Sequence, residues 1–184
     1  MKASQLLAAL TLAMAAATAQ ADIITLTQAQ TQTGQNFSFS FEGLSSSFLG
    51  GGALTFSARG DYTAGYSGPA NPFEVLTASA EGIDFGVMGW DNRDSGTLFG
   101  YDDALWARTF TLDAGQLSGL LADNVLDVFL DLDANVNLFN PQTAFVQVSF
   151  EYTPSASSAV PEPGVLALLG IALAGLGAVR RKRG

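Results

Sequence analysis

The chain has 184 residues, 20 of them glycine, with no histidine and no cysteine. Those zeros exclude a Ser-His-Asp triad, a cysteine nucleophile, a His/Cys zinc site, a disulfide and an acylated cysteine. Residues 22–160 hold 16 of the 17 acids against Arg59, Arg93 and Arg108, a formal −13 with no lysine, so Schiff-base and P-loop chemistry are absent there and nucleic acid is repelled.

The first segment reads as a secretory signal. Met1-Lys2 is a short positive start, and Leu6 to Ala17 is an apolar run too short to span a bilayer comfortably. Ala19-Gln20-Ala21 supplies the small-x-small pattern of a signal-peptidase site, which predicts cleavage before Asp22. A buried N-terminal helix is the alternative.

Residues 22–153 are rich in Phe, Thr, Val, Gly and Ser and alternate with period 2. Phe37, Phe39 and Phe41 alternate with serines, and Leu54 and Phe56 alternate with Thr55 and Ser57. Turn clusters are expected at Gly50-Gly51-Gly52, Arg59-Gly60-Asp61, Ser67-Gly68-Pro69, Glu81-Gly82 and Asn140-Pro141. Asp113-Ala-Gly-Gln116 has capping-box spacing, and Leu117, Leu120 and Leu121 follow at helical spacing. This predicts a short helix over 113–122 that crosses between sheets. A long strand is expected from Val128 to Leu138, with Asp131, Asp133, Asn135 and Asn137 on its wet face. Another runs from Val146 to Tyr152. About eight strands with regular turns predict an all-β fold, an antiparallel β-sandwich of jelly-roll type with one short helix. Its core should hold Phe56, Trp90, Trp106, Phe110, Leu130, Val148 and Phe150.

Several residues invite a chemical reading. Asp131-x-Asp133-x-Asn135-x-Asn137 places oxygen ligands at alternate positions, as calcium loops do. The sixth position is Val136, where the sharp turn of an EF-hand needs glycine, and the twelfth is Gln142, which supplies no carboxylate. A half-solvated strand explains the same spacing, so no metal or other cofactor is expected. Asp91, Asn92 and Asp94 beside Trp90 read as a loop. Trp90, Tyr101 and Trp106, with Tyr62 and Tyr66, are candidates for sugar stacking, although large aromatics more often fill a core. Asp102-Asp103 would point to opposite faces of a strand, and no pair of carboxylates stands out as acid and base. The chain is therefore not expected to be an enzyme. Asn36-Phe37-Ser38 matches a glycosylation sequon by chance.

The end of the chain has three parts in order. Polar residues 154–160 form a linker. Pro161-Glu162-Pro163 is rigid, non-helical punctuation. Val165 to Val179 is uncharged and apolar, about 22 Å long as a helix, and Arg180-Arg181-Lys182-Arg183 follows. The four cations would stay cytoplasmic and fix a stop-transfer orientation for a C-terminal transmembrane helix.

This ending resembles the PEP-CTERM sorting signal of Gram-negative bacteria. The resemblance rests on Pro161, Glu162 and Pro163, the apolar stretch 165–179 and the basic cluster 180–183. It implies inner-membrane anchoring, then processing by an exosortase and a mature protein in the envelope, the biofilm matrix or the medium of an exopolysaccharide producer. An exported, non-enzymatic surface or extracellular-matrix protein is expected, with signal peptidase and exosortase as partners and exopolysaccharide as a further candidate partner. The alternative is a carbohydrate-binding or calcium-dependent binding module.

Overall fold

A computed structural model describes residues 20–62, 74–100 and 102–155. Among them are nine strands: β1 (Asp22–Ala29), β2 (Asn36–Phe41), β3 (Phe48–Gly60), β4 (Val75–Ala80), β5 (Ile83–Gly89), β6 (Ser95–Gly100), β7 (Asp103–Leu112), β8 (Leu126–Leu132) and β9 (Phe145–Pro154). One helix, α1 (Ala114–Leu120), lies between β7 and β8. The strands form two antiparallel sheets, a five-stranded one in the order β1-β9-β3-β7-β6 and a four-stranded one in the order β2-β8-β4-β5. The chain changes sheet after β1, β2, β3, β5, β7 and β8. It stays within one sheet at the β4–β5 and β6–β7 connections.

Alternation drives this layering. Phe37, Phe39 and Phe41 are buried while Asn36, Ser38 and Ser40 are wet, and Leu126, Val128, Leu130 and Leu132 are buried while Asp127, Phe129 and Asp131 are wet. The two inner faces meet through aromatic rings. Phe41 of one sheet lies 6.1 Å from Phe150 of the other, edge to face, and Phe56 lies 5.4 Å from Phe85. Such pairs contribute about 0.5–1.5 kcal/mol each beyond their buried area, and no disulfide supplements them. Of the expected core, Phe56, Trp106, Leu130, Val148 and Phe150 are fully buried, whereas Trp90 and Phe110 pack partly buried against it.

The helix forms where its capping box predicts. Gln116 N donates to Asp113 Oδ1 at 2.8 Å, and Asp113 N donates to Gln116 Oε1 at 3.0 Å. Leu117, Leu120 and Leu121 are buried as the chain crosses from one sheet to the other. Glu81-Gly82 closes the β4–β5 hairpin with both residues at positive φ, 45° and 82°, the signature of a type I′ turn.

Three expectations change. Gly50-Gly51-Gly52 is not a turn. It lies inside β3, where the register of the β3–β9 pair shifts between Phe48 and Gly52. The glycines are needed for close backbone approach: a Cβ on Gly51 would stand 2.2 Å from the Leu112 carbonyl oxygen, and one on Gly52 would stand 2.7 Å from that of Glu151. The strand expected to run to Leu138 ends at Leu132. Asp133 Oδ1 accepts from Asn135 N at 2.9 Å, and Val136 N donates to Asp133 O at 2.9 Å. An Asx turn thus takes the backbone groups that a ladder would need. Pro154, expected in the linker, is the last residue of β9, and Ser155 N donates to Ser47 O at 2.9 Å. The turn at Ser67-Gly68-Pro69 lies outside the described residues. No helix among the described residues is long and apolar enough to cross a membrane, and the expected signal helix and the stretch 165–179 also lie outside them.

Candidate functional site

The oxygen-rich segment 131–137 is divided between two structures. Asp131 is exposed on β8, opposite Asn36, whereas Asp133, Asn135 and Asn137 belong to the turn that follows. Their groups are already engaged. Asp133 Oδ1 accepts from both the backbone and the side-chain amide of Asn135, and Asn137 Nδ2 donates to Asp61 Oδ2 at 3.0 Å and to Asn135 O at 3.0 Å. Among the described residues no group of three or more acidic side chains is arranged to hold a metal ion.

The aromatic trio does not assemble either. Trp106 is fully buried, with its ring edge to face on Tyr62 at 5.4 Å, so it offers no surface to a sugar. Trp90 opens a 3₁₀ turn, Trp90–Asn92, and is half-buried. The Arg93 guanidinium lies 3.4 Å over its ring and donates to the Trp90 carbonyl, while a Cβ on Gly96 of β6 would stand 2.8 Å from Cζ3. Asn92 Oδ1 and Nδ2 bond back to Gly89 N and Val87 O, and Asp94 Oδ2 accepts from Thr109 N. The Asp91–Asp94 segment is therefore a hydrogen-bonded loop. Tyr101 and Tyr66 lie outside the described residues.

Carboxylate chemistry has little to work with. Asp103 is taken by Arg59, whose Nε and Nη2 reach its two oxygens at 2.9 and 2.8 Å, and the same guanidinium covers Phe99 at 3.9 Å. That pairing raises the Arg59 pKa. Among the described residues, Asp61 is a buried acidic residue, 6% exposed. Burial raises its pKa, the Asn137 hydrogen bond opposes this, and nearby Asp102 adds to the rise. Its neighbour Tyr62 is buried, with its pKa raised by desolvation and by Asp61. Gln30, also buried, donates to the carbonyls of Gln32 and Val136 at 3.1 and 3.2 Å and so ties the end of β1 to the turn after β8. This end of the sandwich is a polar plug that holds loops together.

A different feature occupies the outer face of the four-stranded sheet. Phe129, 44% exposed, stands between the wet residues Asp127 and Asp131 of β8. The sequence expectations do not include Phe129, yet it is the one apolar residue in the otherwise acidic outward row of β8. Asn36 of the sequon begins β2 on the same face.

The signal-peptidase residue Ala19, the motif residues Pro161, Glu162 and Pro163 and the cations Arg180, Arg181, Lys182 and Arg183 lie outside the described residues; Ala21 is exposed just ahead of β1. The comparison with protein families decides the identity of the C-terminal segment. Residues 159–182 match the family model of the PEP-CTERM protein-sorting motif. The chain is a PEP-CTERM domain-containing protein. The match takes in the proline-glutamate-proline segment, the apolar stretch and three of the four terminal cations. The motif makes this an exosortase-targeted, exported protein sorted to the cell envelope. No curated protein and no solved structure matches the chain, so the β domain is read from its own residues.

Proposed function

We propose that this PEP-CTERM protein is a non-catalytic component of the cell surface or extracellular matrix of a Gram-negative, exopolysaccharide-producing bacterium. The observation that carries the reading is the sorting motif at residues 159–182. The passenger supports it. Its strands wind as a jelly roll with β6 added at one edge. A jelly roll builds stiffness from packed sheets, which suits a protein that must last outside the cell without disulfides. Residues 22–160 lack His, Cys and Lys, and Asp103 is neutralised in an ion pair with Arg59. The inner membrane holds the chain through residues 165–179 until an exosortase acts. Neither calcium nor any other cofactor is required.

Replacing Pro161-Glu162-Pro163 with alanines tests the sorting step. A stop-transfer helix needs hydrophobicity and flanking cations, and both survive the replacement. In a host with an exosortase the natural chain should be cleaved near the motif and leave the membrane fraction. The alanine variant should accumulate there at full length. Equal processing of both chains on an anti-tag blot would reduce the motif to a spacer and remove the support for the matrix reading.

A further inference from the structure

The outward face of the four-stranded sheet is arranged in cross-strand rows. Asn36, Asp131 and Thr77 form one row; Ser38, Phe129 and Ser79 form the next, and Ser40 and Asp127 lie beyond. Directly opposite side chains sit about 4.5–5.5 Å apart at Cβ, so a large ring would normally be covered by its neighbours. Here both neighbours are serines. The ring is left open, and a groove of about 360 Å³ runs beside it, lined by Ser38, Ser40, Ser79, Glu81, Asp127 and Phe129. That volume lies at the small end of the range for small-molecule sites.

The lining has a specific chemistry. An apolar ring face is bordered by three hydroxyls and two carboxylates. The hydroxyls of Ser38, Ser40 and Ser79 have no hydrogen-bond partner among the described residues. Glu81 Oε1 accepts from Asp127 N at 3.0 Å, which holds that carboxylate at the end of the groove. No cation lines the groove, and the described arginines are engaged elsewhere, Arg59 on Asp103 and Phe99, Arg93 on Trp90 and Arg108 on Phe110. Asp127, Glu81 and Asp131 make the face negative, so an anionic polymer is repelled. A pyranose presents a C–H face for the ring and a rim of hydroxyl donors for the carboxylates and serines.

We propose that this face binds a neutral saccharide chain, one pyranose ring of which stacks on Phe129. The proposal rests on the surface-protein reading for the supply of glycan. Its test uses the purified chain, so a failure of binding and a failure of sorting are seen separately.

The full-length chain, purified in mild detergent, is run through native gels containing a neutral β-glucan, a neutral galactomannan or anionic alginate. Retardation is expected in a neutral gel and not in alginate. Phe129→Ala should weaken it about tenfold, ~1.4 kcal/mol, with the melting temperature little changed because the ring is already part-exposed. Phe129→Tyr should retain binding. Ser79→Leu, which fills the groove without entering the core, should abolish it. Phe99→Ala, on the other sheet, should behave as the natural chain. Retardation that survives both Phe129→Ala and Ser79→Leu, or that is as strong in alginate, would overturn the proposal. So would the absence of retardation in both neutral gels. A concentration-dependent dimer lost in Phe129→Ala, without retardation, would overturn it in favour of a second copy of this chain.

Discussion

Adding one methyl group at Gly51 should damage the fold more than any other glycine-to-alanine change in β3. Gly51 lies where β3 passes against the end of β7, and its new Cβ would stand 2.2 Å from the Leu112 carbonyl oxygen. Real Cβ contacts essentially never fall below 3.0 Å, so the two backbones must part by about 0.8 Å. The obstacle is main chain, and no rotamer change can relieve it. β3 is the central strand of the five-stranded sheet, held by β9 on one side and β7 on the other, so the shift strains two ladders. Overpacking of this kind costs about 1–3 kcal/mol, and a lost ladder hydrogen bond adds about 1 kcal/mol. Gly51→Ala should therefore destabilise by about 3 kcal/mol and lower the melting temperature by about 10 °C. Gly100→Ala is the control. A Cβ there meets nothing within 4 Å, so stability should stay within about 0.5 kcal/mol of the natural chain. Urea unfolding followed by tryptophan fluorescence, with Trp106 as the buried reporter, measures both. A Gly51→Ala chain as stable as Gly100→Ala would refute the close-approach account and return the triplet to a loosely held turn.

Three further outcomes are expected. Asp61 has its folded pKa raised above its ordinary value of 3.8, so the folded state binds more protons in the window above that value and stability falls as pH rises through it. Asp61→Asn keeps an acceptor for Asn137 and removes the ionisation, so its stability relative to the natural chain should grow with pH across that window; a constant difference would refute the assignment. Millimolar calcium should leave the melting temperature unchanged, whereas a site filled at 100 times its Kd would add about 2.7 kcal/mol. Asp133→Ala should cost about 1 kcal/mol through its Asx turn, and a calcium-dependent rise abolished by this substitution would overturn the cofactor-free reading. A chain ending after Ser155 should stay soluble with β-type circular dichroism, because the last described hydrogen bond on that side is Ser155 N to Ser47 O; aggregation would show that the C-terminal segment belongs to the fold.

What could be read from the sequence was whatever depends on neighbours along the chain. The alternation of Phe37, Phe39 and Phe41 needs no partner strand to declare its buried face, and Asp113 and Gln116 lie within one helical turn of each other. What escaped depends on partners remote in sequence. Gly51 reads as a turn residue until Leu112 is placed beside it. Asp133 continues a perfect alternation, yet its own side chain ends the strand by capturing Asn135. Trp90 and Trp106 look equivalent by type, but one is sealed in the core and the other is covered by Arg93. Phe129 becomes meaningful once Ser38 and Ser79 are known to flank it, since a ring between two bulky neighbours would not be open. Asp61 gives no local sign of burial; the Asn137 side chain comes to it from 76 positions away.

The pairing of β1 with β9 links this fold to its route of export. Asp22 lies opposite Tyr152, so the chain enters and leaves the sandwich at the same end. β9, ten residues long, extends about 33 Å from there, which puts the 133–144 loop and Asp61 at the far end. The sorting motif begins at residue 159, so the chain from Ser155 to the motif can reach no more than about 14 Å. The motif is thus tethered to the end of the sandwich that bears Asp22 and Pro154. In the five-stranded sheet β1 is an edge strand whose one partner is the last strand of the domain. It cannot dock until residues through 154 have been exported. Closing the five-stranded sheet therefore waits for the whole domain, and it joins both chain ends where the sorting motif departs.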